Sequence, residues 1–276
     1  MAILLFERPT FVEFRPLYGH PLPTRVTKQG CHRLPRETFL ALNTQLVTAY
    51  NAPDHVKMSS NRGILIVLEG LDRSGKSTQC QRLVENLRQK GETVEHMRFP
   101  NRSTTTGQMI ASYLTGQSQQ DDHAIHLLFS ANRWESARAI EGHIKAGTTV
   151  VIDRYYYSGC VYSAAKQNPT MDLAWCRHPE VGLPRPDIAL FLDTSAEAVA
   201  RRGGFGNERY EKKELQDRVR DLYEQMRRHE DESHDIVTIN AGQDIEQVEN
   251  DILEVVKQAT ISVHEQGRAL RHIQPW

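Results

Sequence analysis

Hydrophobic residues follow two periods along this chain, and the first clean block opens at residue 64. Ile64-Leu65-Ile66-Val67-Leu68 is unbroken and mostly β-branched, which suits a strand covered on both faces. A polar gap follows. Then Cys80, Leu83, Val84 and Leu87 recur at i, i+3, i+4 and i+7, one face of a helix. Further strands are expected over Thr93–Phe99, Thr148–Ile152, Asp187–Asp193 and Asp235–Asn240. Helices are expected over Thr104–Thr115, Asp122–Ala146 (closed by Gly147) and Glu211–Glu232, the last with Leu215, Val219, Leu222 and Met226 on one stripe. A final helix carries Ile245, Val248, Ile252, Val255, Val256 and Ala259. Strands alternating with helices predict an α/β fold, a five-stranded parallel sheet with helices on both faces. The period is lost after Gln266, so a domain over 58–265 and a frayed tail over 266–276 are expected.

Residues 1–57 break this pattern. They hold Pro9, Pro16, Pro21, Pro23, Pro35 and Pro53, which interrupt their short apolar patches. Arg8, Arg15, Arg25, Arg33 and Arg36 suit a mitochondrial transit peptide. The absence of serine and the presence of Glu7, Glu13, Glu37 and Asp54 do not. A poorly ordered extension, with Met58 as a possible alternative start, is the preferred reading.

Charge changes little. Lys plus Arg number 34 against 35 Asp plus Glu, so no overall field points to nucleic acid or a membrane. No apolar run approaches the roughly 18 residues of a membrane helix. Cys31, Cys80, Cys160 and Cys176 show no metal-ligand spacing and read as reduced thiols of an intracellular protein.

Chemistry enters between the first strand and its helix. Gly70-Leu71-Asp72-Arg73-Ser74-Gly75-Lys76-Ser77-Thr78 has the spacing of a phosphate-binding loop. Its backbone N–H groups and the following helix terminus attract an anion, Lys76 reaches the β- and γ-phosphates of a nucleotide, and Ser77 suits Mg2+. Ligands of parallel sheets bind outside the carboxyl ends of the strands. Those ends carry Phe99-Pro100-Asn101-Arg102, Asp153-Arg154-Tyr155 and the stretch Arg201–Tyr210, whose glycines and arginines describe a mobile, positively charged lid. Asp153 stands where a Mg2+-holding carboxylate is expected, with a helix cap as its alternative. Phe129 and Arg133, four apart, share a helix face and suit a nucleobase, or alternatively a core.

These stretches together resemble thymidylate kinase of the eukaryotic type. The resemblance rests on the phosphate loop, Phe99–Ser103, His126-Leu-Leu-Phe-Ser-Ala-Asn-Arg-Trp134, Asp153-Arg-Tyr155 with Ser158-Gly159, Pro179–Pro184 and Arg202–Glu211. It runs from about residue 62 to about 260. It implies a P-loop kinase fold, conversion of ATP and dTMP to ADP and dTDP, Mg2+, a homodimer, and a cytoplasmic or nuclear location. By matching position it implies that Gly70, Arg73, Ser74, Gly75, Lys76, Ser77 and Thr78 serve the ATP phosphates, with Ser77 and Asp153 at the metal. Arg73, Lys76, Asp153, Arg154 and Arg202 form the catalytic set, Arg202 from the lid. For dTMP it implies Arg102 and Arg154 on the phosphate, with Asp72, Tyr162 and Tyr210 near the sugar. Phe129 stacks the base beside Phe99, Arg133 bonds its carbonyl edge, and Ser158 and Gln216 lie close. On that reading a cytosine amino group would leave the buried Arg133 unpaired. A deoxynucleoside kinase is the competing enzyme, but Arg102 with Arg154 answers the need of a second phosphate. A guanine-nucleotide switch lacks its Asn-Lys-x-Asp string, and measurable phosphate transfer would exclude a merely nucleotide-binding module.

Overall fold

The computed structural model describes residues 62–195, 209–210 and 213–276. The lid stretch 201–208 with Arg202, and the extension 1–57, lie outside the described residues.

Among the described residues five parallel strands form one sheet in the order β2-β3-β1-β5-β6. They are β1 (Leu65–Gly70), β2 (Val94–Arg98), β3 (Thr149–Asp153), β5 (Ile188–Asp193) and β6 (Ile236–Asn240), each within a residue or two of its expected span. The alternation of side chains divides every central strand between two cores. Leu65, Val67, Val150, Ile152, Ala189 and Phe191 face one, and Ile64, Ile66, Leu68, Val151, Leu190 and Leu192 the other. With both faces covered, no polar residue is tolerated until the strand ends.

Helices α1 (Lys76–Gln89) and α8 (Ile245–Glu265) cover the second core through Leu83, Val84, Leu87, Val248, Ile252 and Val256. The first is covered by α3 (Asp122–Lys145), α4 (Tyr156–Ala164), the short α5 (Leu173–Arg177) and α6 (Lys213–Arg228). Thus β1 sends its helix to one face and its neighbour β3 to the other. A crevice opens where the connections diverge, above the carboxyl ends of both strands. The short α2 (Thr105–Leu114) packs on α3 through Ile110, Tyr113 and Leu114.

Two expectations need correction. The helix expected over Glu211–Glu232 is interrupted: α6 stops at Arg228, and His229 caps a separate turn, α7 (Glu230–Ser233), by accepting from Asp231 N–H. Within α3, Ile125, Ile140 and Ile144 are buried, while Leu127 (48% exposed) and Trp134 (42%) face outward. The tail is not frayed. Arg271–His272 (β7) pairs antiparallel with Pro184–Arg185 (β4), and Ile273 is fully buried. Two backbone-paired residues and one buried side chain fix a segment too short to show a period.

Candidate active site

A cavity of about 640 Å3 fills the crevice. One end is walled by the loop after β1 and the first turn of α1, where Asp72, Arg73, Ser74, Gly75, Lys76, Ser77 and Thr78 all line it. Gly70 does not, but the loop depends on it: at φ 141° a Cβ would meet the Leu192 carbonyl at 2.6 Å. Arg73 also takes a left-handed backbone, φ 65°. Lys76 Nζ donates to the Leu71 carbonyl at 2.5 Å. Burial, and the like charge of Arg154, push Lys76 down to about 7 against the pull of Asp72, Asp153 and Glu69. Its ammonium is thus held in a dry cradle built for an anion.

The opposite wall comes from α3, α4 and the turn after β2. Phe99, Arg102, Phe129, Arg133, Arg154, Ser158, Tyr162 and Tyr210 all reach the cavity. Tyr162 and Tyr210 rings lie 5.7 Å apart, centroid to centroid. The Arg102 turn opens with a cis Phe99–Pro100 bond. It is gripped by Asn132 of α3, whose carbonyl accepts from Asn101 N–H at 2.7 Å and whose amide donates to Thr104 Oγ1 at 3.0 Å.

Asp72 ties the two walls together. It pairs with Arg154 and accepts from Tyr162 Oη at 3.0 Å and Gln216 Nε2 at 2.7 Å. Burial alone would raise its carboxyl, but Arg154, Lys76 and these two donors outweigh it and hold the pKa low. Gln216 does not line the cavity and reaches it through Asp72, the Tyr162 hydroxyl and the Tyr210 carbonyl. Arg154, φ 66°, also donates to Gly70 O at 3.3 Å and Ser158 Oγ at 3.0 Å.

Asp153 ends β3 beneath the phosphate loop and is nearly fully buried. Its Oδ2 accepts from Ser77 Oγ at 2.6 Å, while Oδ1 is buried without a hydrogen-bond partner. A buried carboxylate oxygen is rarely left so unless something else binds there.

Several participants escaped the sequence reading. Glu69, at the end of β1, is 2% exposed. It accepts from Tyr155 N–H (2.8 Å), Ser158 N–H (3.2 Å), Ser158 Oγ (2.5 Å) and Tyr223 Oη (2.8 Å), pinning the start of α4. The one signal was a carboxylate inside a fully buried strand, which must be paired. Glu180 binds Arg133, Nε at 2.8 Å and Nη2 at 2.5 Å, and outweighs burial to raise the arginine pKa. Arg133 is therefore already paired within the chain. Arg98 reaches the cavity near Asp153, 3.6 Å from its Oδ2. Ala241, Gln243, Ile245 and Val248 extend the cavity along the start of α8.

A five-stranded parallel sheet bearing this loop, with cations from three strand ends around one crevice, defines a P-loop phosphotransferase. The family model described as thymidylate kinase matches residues 68–252. A thymidylate kinase of Arabidopsis thaliana is 53% identical over 71% of this chain and 71% of its own length. The human thymidylate kinase is 46% identical over 71% of this chain and 90% of its own. A solved thymidylate kinase structure from Candida albicans superposes with TM-score 0.69 at 35% identity, covering 77% of this chain and 99% of that one. The chain belongs to the thymidylate kinase family and is a transferase of the nucleoside monophosphate kinase kind.

Proposed function

We propose that this protein moves the γ-phosphoryl group of ATP onto the 5′-phosphate of dTMP, releasing ADP and dTDP. A phosphate oxygen of dTMP forms the new bond to the γ-phosphorus, and the bond to the β–γ bridging oxygen breaks. The observation that carries this reading is the single cavity whose one end is the phosphate loop and whose other end is the Phe129–Arg133–Arg154–Tyr162 wall. Two anions fit there head to head, with cations on both sides. Phosphoryl transfer asks of a protein mainly alignment and charge stabilisation. Lys76 and the loop N–H groups hold the donor, and Arg102 with Arg154 the acceptor phosphate. Asp72 sets the Arg154 guanidinium, and Arg73 meets the charge that develops between the phosphates. The apolar extension around Ala241 and Ile245 suits adenine.

Mg2+ fits the donor end. The hydroxyl of Ser77 and the orphaned Oδ1 of Asp153 are hard oxygen donors, and among the described residues there is no cluster of three metal-binding side chains. That scarcity suits Mg2+, which keeps waters and takes phosphates as ligands. Bound there, the ion would neutralise charge on the β- and γ-phosphates.

Base choice follows from Arg133, donor only, facing thymine O4. Because Glu180 neutralises Arg133, cytosine strands one N–H rather than a whole cation, a smaller penalty than the sequence suggested. The expected order is dTMP, then dUMP, with dCMP and UMP lower. A coupled ADP-release assay across these four tests it, and equal turnover of dCMP and dTMP would refute it. A homodimer belongs to the same proposal. Leu127 and Trp134, two turns apart on the outer face of α3, with Met109 of α2 also exposed, support it. Light scattering showing an active monomer would remove it. Cytoplasmic and nuclear action also belongs to the proposal, supported by the free, buried Cys80, Cys160 and Cys176; cell fractionation tests it.

A further inference from the structure

We infer that Glu180 is the positioning residue for base recognition: it fixes the Arg133 guanidinium in the one orientation that offers an N–H to the cavity. This rests on the assignment of dTMP to that cavity.

The pair is shut away from water, Arg133 at 2% exposure and Glu180 at 0%. Yet Arg133 lines the cavity. Glu180 takes the Nε/Nη2 edge of the guanidinium in a two-point contact, which leaves Nη1 for a ligand. The other side is closed by Gly159, where a Cβ would lie 2.6 Å from Nη2 and 2.8 Å from Nη1. Carboxylate and glycine backbone together form a slot in which the guanidinium can neither turn nor withdraw. A carboxylate needed only to neutralise a buried arginine would not have to sit on this edge. A two-point contact fixes direction as well as charge.

The turn carrying Glu180 is itself held from both sides. The Pro179 carbonyl accepts from Trp134 Nε1 at 2.9 Å and Ser130 Oγ at 3.2 Å, both on the helix that bears Arg133. Beyond the turn, Gly182 N–H donates to Ile273 O at 2.8 Å, and Ile273 N–H to Leu183 O at 2.9 Å. Helix and carboxylate therefore keep one fixed separation. Selectivity for a carbonyl over an amino group needs a donor that cannot swing aside, since a mobile arginine would tolerate either.

The test uses the full chain with Glu180→Gln, Glu180→Asp and the control Asp187→Asn. The control opens another buried two-point pair, Arg62–Asp187, whose members do not line the cavity. Kinetics with dTMP and dCMP, and thermal stability, are measured for each. Glu180→Gln should raise KM for dTMP roughly tenfold with kcat within about threefold, leave KM for ATP unchanged, and narrow the dTMP-to-dCMP preference roughly tenfold. Glu180→Asp keeps the charge but not the reach for both contacts. It should fall between Gln and the native residue, and it carries the test alone if Glu180→Gln does not fold. Asp187→Asn should lose stability and keep the preference. The inference is overturned if the Glu180 variants lose stability but keep the native preference, or if Asp187→Asn narrows it equally. A native enzyme inert toward dTMP is a separate outcome, which overturns the substrate assignment and this inference with it.

Discussion

Replacing Glu69 by Gln removes one charge from a carboxylate that accepts four hydrogen bonds. Oε1 accepts two backbone N–H groups, from Tyr155 and Ser158, and Oε2 accepts the hydroxyls of Ser158 and Tyr223. A backbone N–H cannot reverse, so the amide oxygen must keep the first pair and its NH2 must face the hydroxyls. These can rotate to accept, but Ser158 Oγ already accepts from Arg154 Nη1. Hydrogen bonds to a charged group contribute about 1.5–3 kcal/mol and neutral ones about 0.5–1.5. Losing charge assistance at two bonds and redirecting two more should cost about 2–4 kcal/mol. In a domain of this size that lowers Tm by roughly 4–16 °C. Residues Arg154 and Ser158 stand at the loosened start of α4, so KM for dTMP should rise while KM for ATP holds. Urea unfolding followed by circular dichroism, with steady-state kinetics on both substrates, reads the two effects. A variant that unfolds at the native midpoint with an unchanged KM for dTMP would refute the role given to Glu69.

Arg73→Ala should lower kcat by on the order of 10^3 and change dTMP affinity far less, because the arginine meets charge that exists only during transfer; a loss confined to KM for dTMP would contradict this. Lys76 titrates near 7 when the loop is empty, and the anionic phosphates of ATP raise that value. Above pH 7.5, then, binding takes up a proton and ATP affinity falls by up to about tenfold per pH unit. Calorimetry from pH 7.5 to 9 in buffers of different ionisation enthalpy reads both, and a flat affinity without proton uptake would contradict it. A chain starting at Met58 should keep full turnover and Tm, since the phosphate loop, both walls of the cavity and the sheet all derive from residues after it; a large fall in either would contradict this.

The central strands β1, β3 and β5 were legible because both faces are buried, which turns each into a continuous apolar word. Most of the site was legible because the phosphate loop fixes its own spacing and the sheet brings the strand ends together. Helix α4 was not foreseen: Tyr156, Tyr157, Ser158, Cys160, Val161, Tyr162 and Ser163 are all buried, so no amphipathic period shows. Single carboxylates were equally hidden. Glu180 meets Arg133 across 47 positions and Glu69 meets Tyr223 across 154, distances no local pattern spans. Pairing of β7 with β4 joins two residues to two, below the length at which alternation can be read.

Transfer of label from γ-labelled ATP to dTMP and, in parallel, to thymidine tests the central claim most directly. Both ligands share the base and sugar that Phe129, Arg133 and Tyr162 would hold, and differ only in the phosphate assigned to Arg102 and Arg154. Labelled dTDP from dTMP, with no labelled product from thymidine, is the result expected of a cavity built for two anions. Labelling of thymidine at a comparable rate, or no transfer to dTMP, would contradict it.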